Sequence, residues 1–425
     1  MNLALILAGG RGTRSADPRT PKVCVPIGRK PLLQHHFDLL SQSEIRKVIV
    51  AAGVMADQVV ECLARIDKYS IDIEVVIDSK PTGTMNAIRN SVTSAFAVES
   101  DELLVISGDV LTSFDINGFS RKWKDSRKPV AVVTHPSTHP GDSDSVFQTY
   151  NGRVYAAPKG SRHSFVPNMS STGVFAVRRQ ALLNSGDCID FGADLVPMAA
   201  NRDQLFAHIS SHYFKDTGTP SRLVSARIDY SSGVFHRRGS LEPRRAIFLD
   251  RDGVINPDSL STAGPANYDL EDGVAEAIAR ANQLGVPVFV VTNQPAIAKG
   301  FITESEHEAT RAKMDELLAE AGAFVDDYEY CPHHPERGFI GEIRSLKVVC
   351  ECRKPSTGLI DRLSLRHNID VGKSILIGDS WREKELARRA GCRFLYVSNF
   401  HQSNNDFEVL TASNAIDQAL EMTLC

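Results

Sequence analysis

The sequence lacks long apolar runs and has no excess of basic residues. None of its apolar stretches approaches the roughly 20 residues that a membrane-spanning helix needs. Its 48 lysines and arginines stand against 52 aspartates and glutamates, a formal net charge of −4. That balance argues against a nucleic-acid-binding or anionic-membrane surface. No secretion signal precedes the first apolar strand, Leu3–Leu7. We therefore expect a soluble, cytoplasmic protein with neither nucleic acid nor a membrane as partner.

Cysteines are also few, and most of them are scattered. Of eight in 425 residues, only Cys331, Cys350 and Cys352 fall together. Without a secretion signal, this grouping favours a metal site over disulfide bonds. A chain of this length is expected to hold two or three domains.

In the first half, apolar strands alternate with helical stretches. This rhythm predicts a Rossmann-like α/β fold, with a mostly parallel sheet and helices on both faces. Ligands of such sheets bind at the carboxyl ends of the strands, where the polar signals fall. The expected strands are Leu3–Leu7, Lys47–Ala51, Ile73–Ile77, Leu103–Ile106 and Val130–Thr134.

A glycine-rich turn follows the first strand, with the sequence Ala8-Gly9-Gly10-Arg11-Gly12-Thr13-Arg14. Its backbone N–H groups can face a triphosphate, and its two arginines add fixed charge. The turn is neither a P-loop, since no Gly-Lys-Ser/Thr follows, nor the dinucleotide-binding G-x-G-x-x-G. A glycine-rich turn alone is weak evidence for phosphate binding.

Further motifs follow the turn in order: Thr20-Pro21-Lys22, Pro81-Thr82-Gly83-Thr84, Ser107-Gly108-Asp109 and Asp216-Thr217-Gly218-Thr219-Pro220. With the turn, they resemble the signature of sugar-phosphate nucleotidylyltransferases. The resemblance implies Arg14 and Lys22 as catalytic cations and Asp109 and Asp216 as Mg²⁺ ligands. It also implies nucleotide or sugar contacts from Ala8, Gly9, Gly10, Arg11, Gly12, Thr13, Gly83 and Lys159.

The implied reaction is attack of a sugar 1-phosphate oxygen on the α-phosphorus of a nucleoside triphosphate, with release of pyrophosphate. It depends on charge neutralisation and in-line positioning more than on a protein nucleophile. Two departures from the family pattern fall in the sugar pocket. Lys159 alone remains of the usual Glu-Lys-Pro, and Ser171-Thr172-Gly173 replaces Asn-Ala-Gly.

Periodicity is lost between Asp229 and Arg244, where glycine, serine and basic residues accumulate. We interpret residues 231–243 as a linker between a nucleotidylyltransferase domain (1–230) and a second domain (244–425). Its basic cluster either docks on a neighbour or forms a solvated connector, the favoured alternative. The cluster consists of Arg237, Arg238, Arg244 and Arg245.

The second half opens on a short apolar strand that ends in Asp250-Arg251-Asp252-Gly253. Alternation along a strand places Asp250 and Asp252 on one side and points Arg251 away. Gly253 permits a sharp turn beside them. Two converging carboxylates can hold Mg²⁺ while one attacks phosphorus and the other moves a proton. Because D-x-D alone is common, a solvated strand end is the competing interpretation.

Three later motifs complete a recognisable set. We expect a helix at Ala275–Leu284 and strands at Val286–Val291 and Ser374–Ile377. The motifs are Thr292-Asn293-Gln294, Arg353-Lys354-Pro355 and Gly378-Asp379-Ser380. In this order they resemble the haloacid-dehalogenase (HAD) phosphatases.

The resemblance implies that Asp250 is the nucleophile, while Asp252 acts as acid and base. Thr292 and Lys354 would bind the phosphoryl group. Asp250, Asp252 and Asp379 would hold Mg²⁺. The stretch between the first two motifs is too short for a large cap domain.

A pattern of cysteines and a histidine that can bind a metal narrows the choice among the subfamilies of HAD phosphatases. Cys331-x-His333 and Cys350-x-Cys352 supply three thiolates and one imidazole, the closed tetrahedral set of a structural zinc site. His334 is an alternative to His333. A zinc finger that binds nucleic acid would use similar ligands, but no basic helix accompanies them.

With Asp-Arg-Asp-Gly, Cys-Pro-His-His-Pro and Cys-x-Cys-Arg-Lys-Pro, this half resembles the D-glycero-D-manno-heptose 1,7-bisphosphate 7-phosphatases. Histidinol-phosphate phosphatases share the pattern. The resemblance implies substrate contacts from Arg353 and Lys354. Asn293 and Gln294, at a strand end, are expected to hydrogen-bond the substrate. Ser380 stands where the heptose family carries a lysine.

The two halves explain each other, because removal of the distal phosphate from a sugar 1,7-bisphosphate yields a sugar 1-phosphate. We expect a bifunctional enzyme that makes an NDP-heptose for a surface polysaccharide, with Mg²⁺ in both domains and a structural Zn²⁺. GTP is favoured because heptose 1-phosphate guanylyltransferases are the nearest precedent.

The alternatives are ATP or CTP, another sugar or polyol phosphate, a histidinol-phosphate-type phosphatase, or a scaffold with one degenerate site. The last predicts a missing carboxylate, and all five expected are present. The sequence leaves the oligomeric state open, including a homo-oligomer.

Overall fold

The structure is a computed structural model that describes residues 1–10, 19–78, 82–98, 100–139, 144–149, 152–157, 159, 167–258, 264–398 and 410–424. The chain forms two compact units. The first comprises Met1–His135, Gly141–Ser161 and Ser170–Ser240. The second comprises Pro136–Pro140, Arg162–Met169 and Leu241–Cys425.

The first unit alternates strands and helices along most of its length. Its strands are β1 (Leu3–Ala8), β2 (Pro26–Ile27), β3 (Lys30–Pro31), β4 (Lys47–Ala52), β5 (Asp72–Ile77), β6 (Glu102–Ser107), β7 (Val110–Ser113), β8 (Val130–His135), β9 (Ser145–Gln148), β10 (Val154–Ala157), β11 (Ser170–Arg178), β12 (Leu205–Ile209) and β13 (Tyr213–Asp216). Its helices are α1 (Leu32–Ser41), α2 (Ala56–Arg65), α3 (Thr84–Ser91), α4 (Ala95–Val98), α5 (Ile116–Ser126), α6 (Arg179–Leu183), α7 (Val196–Asn201), α8 (Pro220–Ser231) and α9 (Val234–Gly239), with a 3-10 turn at Lys22–Cys24 and a π turn at Phe191–Leu195.

The main sheet of the first unit is mixed rather than mostly parallel. Strands β5, β4, β1 and β6 form a parallel block in that order. Strand β11 then runs antiparallel to β6 and β8, and β9 and β10 pair as a hairpin. Parallel neighbours require a crossover connection, usually a helix, between them. Between β9 and β11 the described residues contain no helix, and these strands pair antiparallel. The five predicted strands are all present.

Hydrophobic clusters cover both faces of this sheet. Along β1, Ala4 and Ile6 face a cluster containing Phe37 of α1, whereas Leu3 and Leu5 face the opposite one. This alternation follows from the two-residue period of a strand. Burial on both faces fixes the register of β1 and thereby the position of Gly9 and Gly10, which follow it.

The second unit is built on a fully parallel five-stranded sheet in the order β16-β15-β14-β17-β18. The strands are β14 (Ile247–Leu249), β15 (Val288–Asn293), β16 (Asp327–Cys331), β17 (Ile375–Gly378) and β18 (Arg393–Tyr396). The helices are α10 (Val274–Leu284), α11 (Pro295–Ala298), α12 (Glu304–Glu320), α13 (Gly358–His367), α14 (Trp381–Ala390) and α15 (Ala412–Leu424), with 3-10 turns at Pro265–Asn267, Arg344–Leu346 and Val371–Lys373.

Both faces of the second sheet are also covered, since Ile247 and Leu249 pack in one hydrophobic cluster and Phe248 in the other.

Between β14 and β15 the described residues form only a 3-10 turn and α10. The prediction of two Rossmann-like α/β domains, the second without a large cap, is confirmed. Within the described residues, no helix combines the length and apolarity needed to cross a membrane.

The segment interpreted as an irregular linker is ordered in part. Residues Val234–Gly239 form α9, and Val234 joins a buried cluster of the first unit. Arg238 is buried and donates to the carbonyl of Ser211 (3.3 Å). The charge of Arg238 favoured the interpretation of a solvated arm. In the structure, its side chain instead donates to a backbone carbonyl inside the first unit.

The other members of the basic cluster also have partners within their own unit. Arg237 donates to the carbonyl of Ser232 at 3.1 Å. Arg244 is buried and donates to the carbonyl of His367 at 2.8 Å, and Arg245 donates to that of Thr423 at 2.9 Å. Arg238 and Arg244 are buried, so a solvated connector does not describe them, whereas Arg237 is exposed.

Candidate functional sites

In the first unit, two aspartates predicted as metal ligands converge at strand ends. Asp109 follows β6, and Asp216 is the last residue of β13, which pairs with β7 so that Asp216 lies opposite Val110. The backbone and the hydroxyl of Thr217 both donate to the carbonyl of Asp109, each at 2.8 Å. These bonds tie the two strand ends together and bring the carboxylates to one place.

A lysine and an arginine neutralise these carboxylates. Lys22 Nζ lies 2.6 Å from Asp109 Oδ2, and Arg222 Nη1 lies 2.5 Å from Asp216 Oδ2. Lys22 opens the 3-10 turn that includes Val23, whose buried side chain anchors it in the core. The site therefore holds two carboxylates and two cations, a set suited to Mg²⁺ and a polyphosphate.

Gly218 gives these groups room to converge. A Cβ there would lie 2.8 Å from Asp216 Oδ1, 3.2 Å from Lys22 Nζ and 3.4 Å from Asp109 Oδ2. No side chain fits at that point without displacing a carboxylate.

We expect Gly218→Ala to lower nucleotidyl transfer by about ten- to hundredfold, because small misplacements of charged groups are costly in such sites. Pyrophosphate release measures the effect. Gly372→Ala, where the nearest heavy atom would lie at an ordinary 3.5 Å, is the matched control. Full transfer activity in Gly218→Ala would contradict the placement of the site.

The remaining predicted groups of this half are placed only in part. Ala8 ends β1, and Gly9 and Gly10 follow it at the carboxyl edge of the sheet. Gly83 caps the start of α3. The backbone of Lys159 donates to Asp144 Oδ1 (2.9 Å), and its side chain is exposed. Four predicted residues lie outside the described residues: Arg11, Gly12, Thr13 and Arg14.

In the second unit, Asp250 follows β14 and is buried beside Lys354. Lys354 Nζ lies 2.6 Å from Asp250 Oδ2 and 2.8 Å from Glu383 Oε1. Asp250 Oδ1 accepts the backbone N–H of Arg251 at 2.7 Å. The nucleophile candidate is thus held from both oxygens.

Three carboxylates form a cluster that can hold a cation. Oxygens of Asp250, Asp379 and Glu383 lie within 4.8 Å of one another. Burial is the main cause that raises the pKa of Asp250 to about 7, with the charge of Lys354 acting against it and that of Glu383 adding to it. Burial and the charge of Glu383 together raise the pKa of Asp379 to about 6. A divalent cation relieves this accumulation of like charge, so the residues fit Mg²⁺. Gly253, at φ 79°, leaves space for Asp379, because a Cβ there would lie 2.0 Å from Asp379 Oδ2.

Glu383 was missed by the sequence reasoning. Glu383 lies in the first turn of α14. Ser380 caps that helix, and its hydroxyl donates to the carboxylate of Glu383. The Ser-x-x-Glu spacing directly after Gly-Asp could have identified Glu383. This spacing is typical of a capped helix start, so it gives no separate indication of a functional carboxylate.

Asp252 is surrounded by donors instead of joining the carboxylate cluster. Arg251 donates to it from Nε (2.9 Å) and Nη2 (3.1 Å), Gln294 Nε2 at 2.8 Å and Asn256 Nδ2 at 3.1 Å. The structure does not bring its side chain into the Mg²⁺ cluster predicted for it. The prediction that Arg251 points away is wrong: its guanidinium is 1% exposed and turns back to Asp252, which offsets the cost of burying the charge.

The Thr-Asn-Gln motif at the end of β15 contacts two residues that are predicted to be catalytic, Asp252 and Lys354. Thr292 is buried and its hydroxyl accepts from Gln294 Nε2 at 3.0 Å. Asn293 Oδ1 accepts the backbone N–H of Lys354 at 3.0 Å, and its Nδ2 donates to the Lys354 carbonyl at 3.3 Å. Asn293 therefore fixes the lysine, while Gln294 fixes Asp252.

The cysteine–histidine pattern closes into a compact cluster. Sγ of Cys331 lies 3.6 Å from that of Cys350 and 3.2 Å from that of Cys352. His333 Nδ1 lies 3.2 Å from Cys352 Sγ. Around zinc at about 2.3 Å from sulfur and about 2.0 Å from nitrogen, tetrahedral ligand atoms are about 3.5–3.8 Å apart. The sulfur separations are too long for disulfides, so the residues fit Zn²⁺.

His334 lies outside this cluster, with its Nδ1 3.5 Å from the carbonyl of Glu336. The side-chain contact with Cys331 lowers the pKa of Cys352, which favours the thiolate form that can bind metal. Arg353 follows directly and donates to the carbonyl of His333 at 3.2 Å. The Cys–His cluster therefore positions Arg353, which directly precedes Lys354.

The nucleotidyl transferase family model matches residues 3–233, and a HAD-hydrolase-like model matches residues 351–408. The D-glycero-beta-D-manno-heptose-1,7-bisphosphate 7-phosphatase of Rhodopseudomonas palustris is 36% identical over 176 residues, 41% of this chain and 93% of that protein. The enzyme of the same name from Escherichia coli K12 is 39% identical over 144 residues, 33% of this chain and 72% of that protein. HddC from Yersinia pseudotuberculosis, a solved structure, is 22% identical with a TM-score of 0.46, covering 54% of this chain and all of that one.

The match to the nucleotidyl transferase family model spans more than half of the chain. The match to the Rhodopseudomonas palustris phosphatase covers nearly the whole length of that protein. The first half of the chain belongs to the nucleotidyl transferase family, and its C-terminal part belongs to the family of the D-glycero-beta-D-manno-heptose-1,7-bisphosphate 7-phosphatases.

Proposed function

We propose that the chain is a bifunctional enzyme that converts a heptose 1,7-bisphosphate into an NDP-heptose. The observation that carries the proposal is the presence of two separate charged sites in one chain. One is built around Asp109 and Asp216, the other around Asp250 and Lys354. Loss of the distal phosphate leaves the anomeric phosphate that nucleotidyl transfer consumes. We place the boundary between the two catalytic units at Ser240, inside the predicted linker 231–243.

In the phosphatase unit, Asp250 attacks the distal phosphorus and forms an aspartyl-phosphate as the sugar alkoxide leaves. Asp252 gives a proton to the leaving oxygen and then takes one from the water that hydrolyses the intermediate. Lys354 neutralises the phosphoryl oxygens and Thr292 donates to them. Asp250, Asp379 and Glu383 would hold Mg²⁺, which supplies charge neutralisation at phosphorus when bound.

In the transferase unit, the anomeric phosphate oxygen attacks the α-phosphorus of the nucleotide and pyrophosphate leaves. Lys22, with Arg14, neutralises the triphosphate, and Asp109 and Asp216 would hold Mg²⁺ there. We assign Arg353 to substrate contact in the phosphatase unit and Cys331, His333, Cys350 and Cys352 to a structural Zn²⁺. GTP is the nucleotide proposed, by resemblance to heptose 1-phosphate guanylyltransferases.

Pyrophosphate release with each of four nucleoside triphosphates and both anomers of heptose 1-phosphate tests the transferase assignment. We expect GTP to exceed the other nucleotides by at least about tenfold in kcat/KM, since a site that hydrogen-bonds one base leaves its polar groups unpaired with another. Highest turnover with CTP or ATP would contradict the nucleotide assignment. No release with any heptose 1-phosphate would contradict the transferase function.

A further inference from the structure

The 3-10 turn that carries Lys22 also carries a cysteine, Cys24, and a second cysteine, Cys62, lies in the neighbouring helix α2. Both cysteines are free and half-buried, and both pack against the same hydrophobic cluster of the first unit. Lys22 is the residue whose ammonium lies 2.6 Å from Asp109 Oδ2. A covalent change at Cys24 therefore occurs within the same short turn as a cation of the transferase site.

The geometry of α2 brings Cys62 close to Cys24. The turn and α2 pack together, with Cα atoms within 8 Å of each other. Cys24 Sγ lies 3.8 Å from the carbonyl oxygen of Gln58. Gln58 precedes Cys62 by one helical turn, so the same carbonyl accepts the backbone N–H of Cys62. Because helical side chains point back towards the preceding turn, the Cys62 thiol points towards the carbonyl that Cys24 contacts.

The two thiols differ in acidity. The side-chain contact between them is the main cause that raises the pKa of Cys24 and lowers that of Cys62. Burial acts against the lowering at Cys62, and the charge of Arg65, in the last turn of α2, adds to it. Cys62 is therefore the thiol that more readily becomes a thiolate, with a second thiol beside it. This is the arrangement that thiol–disulfide exchange requires.

We propose that Cys24 and Cys62 form a reversible disulfide that lowers nucleotidyl transfer. The oxidant is glutathione disulfide. The Cys62 thiolate attacks one of its sulfurs and forms a mixed disulfide as the first glutathione thiolate leaves. Cys24 then gives up its proton and attacks the sulfur of Cys62, and the second glutathione leaves with that proton. Two thiols of the chain are oxidised while one glutathione disulfide is reduced to two glutathiones.

The disulfide acts on the transferase site through Lys22. A covalent bond holds two sulfurs closer than a non-bonded contact does, so the turn is drawn towards α2. Lys22 moves with the turn, and its contact with Asp109 is disturbed. A misplacement of about 1 Å costs a site of this kind about a hundredfold in rate. The inference rests on the function proposed above and adds the regulation of that site.

Oxidation of the full chain with glutathione disulfide, followed by peptide mapping and an assay of pyrophosphate release, tests the proposal. We expect a Cys24–Cys62 linkage and a fall of at least about tenfold in kcat/KM for transfer, both reversed by dithiothreitol. Cys62→Ser should keep its transfer activity in the presence of the oxidant. Absence of the linkage in the wild type, or a linkage that leaves pyrophosphate release unchanged, would overturn the proposal.

Cys188→Ser is the matched control. Cys188 is a free, half-buried cysteine of the same unit, and burial raises the pKa of its thiol. This variant should respond to the oxidant as the wild type does. Loss of the response in Cys188→Ser, or an equal fall in the activity of oxidised Cys62→Ser, would assign the effect to other thiols and overturn the proposal.

A second measurement separates this proposal from the proposed function. Peptide mapping needs no turnover, and equilibrium dialysis with Mg²⁺ measures the Kd of each nucleoside triphosphate. For the nucleotide that binds best, we expect oxidation to raise the Kd of the wild type by about tenfold and to leave that of Cys62→Ser unchanged. If the reduced chain releases no pyrophosphate with any nucleotide, the proposed function is wrong, yet the linkage and the Kd still decide for or against the regulatory disulfide.

Discussion

Asp250→Asn should abolish release of inorganic phosphate and leave nucleotidyl transfer nearly intact. An amide cannot form the aspartyl-phosphate, and loss of a catalytic nucleophile lowers kcat by roughly four to six orders of magnitude. Asparagine keeps the size of the side chain, so the fold of the second unit should persist. Phosphate release from the bisphosphate and pyrophosphate release from heptose 1-phosphate with NTP are the two measurements.

The reciprocal variant, Asp216→Asn, is the control for Asp250→Asn. It should suppress pyrophosphate release and spare phosphate release, because Asp216 belongs to the site that contains Lys22 and Asp109. A comparable loss of both activities in either variant, with circular dichroism unchanged, would contradict two independent sites.

Cys350→Ser should remove about one zinc per chain and destabilise the second unit. A structural zinc site contributes directly to folding, so loss of a few kcal/mol should lower the unfolding midpoint by about 10 °C. Phosphate release should fall as well, because the loop that carries Cys350 and Cys352 continues into Lys354. Metal analysis and thermal unfolding measure the first two effects.

Cys392→Ser is the matched control for the zinc prediction. Cys392 is a half-buried cysteine of the same unit and lies outside the metal cluster. The variant should keep its zinc and lose little stability. Unchanged zinc content in Cys350→Ser, or full stability after its zinc is lost, would contradict a structural metal site.

The sequence predicted those site residues that lie at or directly after the end of an apolar strand and whose side chain the proposed reaction needs. Asp250, Thr292 and Asp379 each follow or end an apolar run, and parallel strands bring their carboxyl ends to one edge. Glu383 and Arg251 were missed because their roles depend on where a side chain turns. Strand alternation places Arg251 on the wrong side of Asp252, whereas its long side chain folds back.

The fold was predictable where hydrophobic periodicity was strong. The five strands predicted for the first half correspond to β1, β4, β5, β6 and β8, and their apolar runs mark them. The antiparallel strands β9 to β11 and the short helix α9 were missed. Strands β9 and β10 have only four residues each, and α9 follows directly on Gly233, so neither gives a long periodic signal. Their structure is decided by packing against the rest of the unit.

The central claim, that the two sites perform consecutive steps, is tested most directly by phosphorus NMR of one mixture. It contains the chain, heptose 1,7-bisphosphate, GTP and Mg²⁺. The account predicts that the distal phosphorus signal disappears first, with inorganic phosphate appearing before pyrophosphate, and that the anomeric phosphorus ends in the diphosphate of an NDP-heptose. Loss of the anomeric signal while the distal one survives would contradict the account, because no group would remain for nucleotidyl transfer.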